Sequence, residues 1–281
     1  MNDIDYLSVI AFTGKDAGAF LQNQLTADVR ALEPGDTTFA ALCHPKGRVM
    51  ALFLVCAVDD GYRLLCHRDR AGDLVAYLRR FVFRDDVTIE PAEDLHVAAN
   101  PPEDAPGIET RVAPLPGLCY GLLRDAPAPP TGDGETGFHA RELQAGVAWI
   151  GAGVSEQFLP QMLGHEALGA LDFRKGCFPG QEVVARTRYL GKLKRHPWTG
   201  HVGERLPVDA LGEVTLHGEG QTATGVLVDQ APLPEGGWQA FVVARRSGAF
   251  EVERAEAGAV DTGARGRWLN EGLERAEAAA D

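Results

Sequence analysis

Short apolar runs broken by glycine- and proline-marked turns fill most of the chain, and their period switches between two and about three and a half residues. Residues 6–12 predict a strand, and Thr13-Gly14-Lys15-Asp16 a turn opening a helix over 17–25, where Ala17, Phe20, Leu21 and Leu25 share a face. Residues 38–43 and 48–58 predict a hairpin joined by His44-Pro45-Lys46-Gly47, with a third strand at 62–66. A helix over 69–83 follows, striped by Leu74, Tyr77, Leu78 and Phe81, and then short strands at 87–89 and 95–98. This order implies a small α+β layer with antiparallel pairing.

Proline is dense from 100 to 130, so only 118–123 reads as a strand there, and the polar run 131–137 buries no core. A short helix over 138–145 ends at Gly146, where a left-handed cap favours glycine. Residues 181–189 have helical composition ended by Gly191. Beyond Trp198, apolar runs at 199–202, 213–216, 224–228 and 238–244 alternate with glycine-rich turns and predict a small β-barrel or sandwich. The Glu/Ala-rich tail 270–281 reads as helical or frayed, and no internal repeat or nucleotide-cradling glycine loop is present.

Composition adds scale and charge. With 281 residues, 45% of them apolar, the chain has material for one full core or two to three modest ones. The net charge of −13 disfavours general adhesion to nucleic acid or membrane. Between Arg174 and Arg195, however, seven cations face Glu182 alone, a local excess of six on a remainder of −19. That segment is either a solvated face or a dock for an anionic ligand. The five cysteines show no metal-ligand spacing; Cys43, Cys56 and Cys66 lie in apolar strand-like runs that suit buried free thiols. With no leader-like start and no 18-residue apolar run, a reduced, cytoplasmic protein is expected.

The most unusual chemistry lies in residues 173–186, Phe-Arg-Lys-Gly-Cys-Phe-Pro-Gly-Gln-Glu-Val-Val-Ala-Arg. Pro179 suits a first helical turn, which would set Cys177 at a helix start. There the dipole and the cations Arg174 and Lys175 would favour the thiolate. The alternative is one more buried thiol. Gly176 and Gly180 permit unusual torsions and close approach, and Glu182 either complements the dipole or closes a capping box. Among His44, His165, His196 and His201 no spacing selects a partner for the cysteine. One cysteine cannot hold an iron–sulfur cubane alone. Gln22, Asn23 and Gln24 either line a polar site or cap a helix end.

The 175–186 block resembles the signature of the YgfZ folate-binding proteins, Lys-Gly-Cys-aromatic-x-Gly-Gln-Glu. Four further blocks stand in that family's order: residues 22–29, 43–48, 158–162 and 189–195. The resemblance implies an α+β fold like the glycine-cleavage T-protein, a three-lobed ring around a folate channel. Its first lobe would be discontinuous (1–45 and 131–194), its second ferredoxin-like and shortened (46–130), and its third a C-terminal β-barrel (195–281). The implied ligand is tetrahydrofolate or a one-carbon derivative. Its contacts would come from Gln22, Gln24, Lys46, Gln144, Gln161, Gly176, Gly180, Gln181, Glu182 and Arg186, with Lys192, Lys194 and Arg195 drawing the glutamate tail. Gln144 stands where related aminomethyltransferases carry a pterin-holding glutamate, and Gly164 where an asparagine is common.

By this resemblance the protein assists assembly or maintenance of iron–sulfur enzymes, including one that methylthiolates tRNA. Cys177 would be the reactive thiol and Lys175 its activator. The alternatives are a folate-dependent one-carbon transferase, for which Asp28 is the nominated carboxylate, and a tRNA-modification factor binding RNA through the basic segment. Expected partners are folate and transient iron–sulfur clients or scaffolds, with no membrane and no metal of its own. The acidic body disfavours direct nucleic-acid binding, and a monomer is expected.

Overall fold

The computed structural model describes residues 2–124, 134–246 and 250–269. The chain divides into two compact units, the first comprising 1–135, 149–157 and 169–185, the second 136–148, 158–168 and 186–281.

The first unit holds two antiparallel sheets. Its elements are β1 (Asn2–Asp3), β2 (Leu7–Thr13), α1 (Ala17–Gln24), β3 (Thr37–Cys43), β4 (Val49–Val58), β5 (Gly61–His67), α2 (Ala71–Arg79), β6 (Thr88–Pro91), β7 (His96–Ala99), β8 (Ile108–Leu115) and β9 (Leu118–Leu123). One sheet runs β3-β4-β5-β2-β6 and the other β1-β7-β9-β8. β4 is buried along nearly its whole length, so both of its faces are covered, which explains its unbroken apolar sequence. Ala51, Phe53 and Val55 share a core with Phe20 and Leu21 of α1 and Leu74, Val75 and Leu78 of α2. Between the sheets stands Trp149, whose indole meets the Phe39 ring of β3 at 6.4 Å and the Tyr120 ring of β9 at 6.3 Å.

The expected lobe boundary at 45/46 falls in the turn of the β3–β4 hairpin, whose pairing runs from Thr37↔Cys56 to Cys43↔Val49. Residues on either side of it therefore belong to one sheet. Helix α2 is shorter than the apolar stripe predicts. A 3₁₀ turn (Arg68–Arg70) leads into it, and beyond Arg79 the amides of Arg80, Phe81 and Val82 bond three residues back, tightening the end. β8 lies in the proline-dense region read as loop. It is the edge strand of its sheet and is bulged around Pro114, the two settings in which a sheet tolerates proline. Residues 125–133, also expected as loop, lie outside the described residues.

The second unit contains α3 (Gly134–Ala145, counted here from Thr136), a 3₁₀ turn (Pro160–Leu163) and the strands β10 (Arg195–Val202), β11 (Glu213–Gly218), β12 (Gln221–Pro232), β13 (Trp238–Arg245), β14 (Arg254–Ala257) and β15 (Val260–Trp268). α4 (Gln181–Leu190) counts with the first unit through Ala185. The six strands close into a barrel in the order β10-β13-β12-β11-β14-β15, so the choice between barrel and sandwich falls to the barrel. Its interior is filled by Trp198, Val214, Leu216, Leu227, Val242, Phe250 and Trp268. β14 and β15 escape sequence detection because their inward residues ahead of Trp268, namely Ala255, Ala257, Thr262 and Ala264, are small and make no hydrophobic peak. Among the described residues no helix is long and apolar enough to cross a membrane, and the tail 270–281 lies outside them.

Replacing Trp149 by alanine removes the indole that touches both Phe39 and Tyr120. The expected loss is about 3–5 kcal/mol of stability, read as a fall in the urea midpoint without a change in slope.

Candidate functional site

The site is organised by the end of α1. At Leu25 the chain turns extended (φ −100°, ψ 160°) and leaves the helix. The Thr26 amide, which would meet the Gln22 carbonyl if the helix continued, donates to Ala41 O at 3.0 Å instead. The buried Gln22 side chain accepts the Val29 amide through Oε1 at 2.9 Å, so it builds the turn after the helix. Thr26 then stitches this turn to a distant segment. Its hydroxyl donates to Ala170 O (2.6 Å) and accepts the Ala41 amide (2.8 Å), while its carbonyl accepts the Asp172 amide (2.9 Å).

Three residues further on, the Lys175 side chain enters the same turn. It is 4% exposed, and its ammonium donates to the carbonyls of Gln22 and Leu25. The Phe178 ring lies 5.7 Å from Nζ, a cation–π contact. Burial pushes the Lys175 pKa down to about 8; the Asp28 and Asp172 carboxylates act against the shift and Arg30 with it. Lys175 and Phe178 are both buried, whereas Gly176 and Cys177 between them are exposed. The loop thus presents one thiol between two anchors.

A third anchor lies at Gly180, which has φ +80° and receives the Val184 amide as α4 begins. A Cβ built there would stand 2.6 Å from Gly47 Cα and 2.7 Å from His44 O. The β3–β4 turn and the start of α4 therefore touch backbone to backbone, and only glycine permits the contact. The turn itself is closed by the Gly47 amide on His44 O at 2.7 Å, and Lys46 is exposed on it.

Two expectations are corrected by this geometry. α4 starts at Gln181, so Pro179 lies outside the helix and Cys177 stands four residues before its first helical residue, beyond the first turn where the dipole acts. Lys175 is not a free cation beside the thiol. Leaving a buried carbonyl without its donor costs about 1–3 kcal/mol, whereas an exposed ion pair gains about 0–1 kcal/mol. The ammonium therefore stays on Gln22 and Leu25.

Of the other predicted residues in this unit, half-buried Asp28 accepts the Arg30 amide at 3.0 Å. Gln24 buries an Oε1 that meets no donor. Gln181 and Glu182 occupy the first turn of α4, Glu182 exposed. In the second unit Gln161 is buried in the 3₁₀ turn, and Arg186, Lys192 and Lys194 are exposed, with Arg195 half-buried at the start of β10. Arg188 is paired with Glu166. Gln144 is exposed on α3, and its carbonyl accepts from Arg267 at 3.2 Å.

Sequence reasoning missed Glu142, fully buried on α3 one turn from the buried Phe138. The signal was present, since positions four apart share a helix face. It also missed Thr26, whose hydroxyl carries no periodic signature. His165, one of four histidines that spacing did not distinguish, is buried, with its pKa pushed down to about 3 by burial, so it is neutral at physiological pH. A cleft of about 730 Å³ lined by Asp59, Asp60, Glu109 and Arg124 contains none of the predicted site residues.

The two units carry the fold of the glycine-cleavage aminomethyltransferases. The crystal structure of aminomethyltransferase T from Bartonella henselae superposes with a TM-score of 0.64 at 16% identity, over 94% of this chain and 84% of that one. No family model matches the sequence. A tRNA-modifying protein YgfZ from Cronobacter sakazakii is 30% identical, with 84% of this chain and 82% of that protein covered. One from Escherichia coli O157:H7 is 29% identical, with 83% and 81% covered. The chain belongs to the YgfZ family.

Four of the five thiols are buried, and burial pushes Cys43, Cys56 and Cys66 up to about 12. Ellman's reagent on the native protein should release one fast equivalent, absent in Cys177→Ala, and the remainder only on unfolding. Because native Lys175 releases its proton below the unfolded value of 10.5, the unfolded chain binds more protons between pH 8 and 10.5. Stability should therefore rise across that window, by up to about 3 kcal/mol from this group. Chemical denaturation at several pH values, compared with Lys175→Met, checks the slope.

Proposed function

We propose that this protein is a tetrahydrofolate-binding accessory factor for the assembly or maintenance of iron–sulfur enzymes, among them tRNA-methylthiolating ones, acting through Cys177. The observation that carries this reading is the loop itself: of five cysteines only Cys177 is exposed, held between Lys175 and Phe178. The relatives named as tRNA-modifying proteins support the connection to tRNA modification. The fold shared with an aminomethyltransferase supports folate, and the iron–sulfur role rests on the family resemblance.

The residues fit a folate. Gln24 Oε1 is a buried acceptor with no donor, which suits the N–H groups of a pterin. On the second unit, taken by itself, exposed Lys192 and Lys194, with Arg195, form a cationic stretch of the kind that attracts carboxylates. Bound tetrahydrofolate supplies a one-carbon carrier. Aminomethyl-type transfer is the weaker reading, because Gln144 is uncharged and exposed and Asp28 is engaged by the Arg30 amide. RNA binding through 186–195 is weaker too, since Arg188 is neutralised by Glu166.

Purified protein should bind tetrahydrofolate in calorimetry, more weakly as salt rises. Cys177→Ala should fold and bind folate normally yet fail to restore tRNA methylthiolation in a deletion strain. Absence of saturable binding would refute the folate assignment, and full rescue by Cys177→Ala would refute the thiol's role.

A further inference from the structure

The burial sequence through the loop is buried Lys175, exposed Gly176 and Cys177, buried Phe178. Gly176 is exposed, with nothing within 4 Å of a built Cβ, so the loop is open at that position. Upstream, Thr26 fixes Ala170 and Asp172; downstream, Gly180 is seated on the β3–β4 turn. Over the five residues between Asp172 and Phe178 the one side chain with polar bonds back to α1 is Lys175. Arg174 is exposed, and its contacts run only to Asp172. The conformation of the thiol-bearing residue therefore depends on where the Lys175 ammonium is held.

We infer that Lys175 is the positioning residue for Cys177, holding the loop by its bonds to the Gln22 and Leu25 carbonyls rather than acting on the thiol by its charge. This rests on the reading of Cys177 as the working thiol. The groups that bias the protonation of Lys175 are Asp28, Asp172 and Arg30, all on the turn after α1 or the loop itself. Because the buried ammonium gives up its proton below the free value, loss of that proton does not favour release of the loop: the neutral amine still donates to both carbonyls, and the donor rather than the charge is what holds. Arginine at 175 keeps donors and charge at every accessible pH.

The experiment is a nitroxide spin label on Cys177 of the full-length protein, with spectra recorded for wild type, Lys175→Met and Lys175→Arg from pH 6.5 to 9.5. Wild type should give a motionally restricted spectrum that does not loosen as the pH is raised through 8, because the tethered state is the one with the lowered lysine pKa and the neutral amine still donates to both carbonyls. The methionine variant should be mobile throughout, and the arginine variant restricted and independent of pH. If methionine does not fold, the wild type and the arginine variant decide alone: a mobile wild-type label at pH 6.5 would overturn the inference. A folded methionine variant whose line shape matches wild type across the pH range would overturn the inference. So would a methionine variant with the wild-type line shape whose Cys177 alkylation midpoint moves up by a full pH unit, since that is the signature of a charge effect. Rescue of the deletion strain by Cys177→Ala would refute the thiol's role while leaving the spectra as they are.

Discussion

A single ammonium group, that of Lys175, meets two carbonyls at the point where α1 ends. Helix ends leave backbone acceptors unsatisfied, and a buried end needs donors from elsewhere in the chain. Here they come from about 150 residues downstream, so the termination of one helix and the shape of a distant loop are one constraint. Remove the donor and the first unit has buried carbonyls without partners; remove the turn after α1 and the loop loses its attachments through Lys175 and Thr26. The Thr26 hydroxyl, set between Ala170 and Ala41, repeats the device one residue further on.

This gives the family signature a physical reading. In Lys-Gly-Cys-Phe-Pro-Gly the lysine and phenylalanine are anchors, the first glycine and the cysteine are what they present, and the second glycine is the point of backbone contact with the β3–β4 turn. The cysteine is then exposed by construction, in contrast with four siblings held as ordinary core thiols. Such a loop presents its thiol at the protein surface.

Much of this was legible in the sequence, and the failures have causes. The strands of the first sheet announce themselves because they bury apolar runs, as β4 does along nearly its whole length, whereas α4, which buries only Val184, is legible from its composition and the glycine that follows it. Apart from Trp268, β14 and β15 fill the barrel with alanine and threonine and so resemble loops, and β8 carries proline because it is an edge. In the site, the cysteine and its glycines were visible as a pattern. The direction of the Lys175 side chain was not, because it is set by acceptors in a helix end remote in sequence. Charge on paper suggested a cation acting on a thiol; burial makes it a tether.

The central claim is that the end of α1 and the Cys177 loop are one structural element joined by Lys175. Hydrogen–deuterium exchange on wild type and Lys175→Met at neutral pH tests it most directly. The account predicts that protection is lost together in residues 22–26 and 172–178 while the C-terminal barrel exchanges as before. Unchanged protection in both segments, or loss in one without the other, would contradict it.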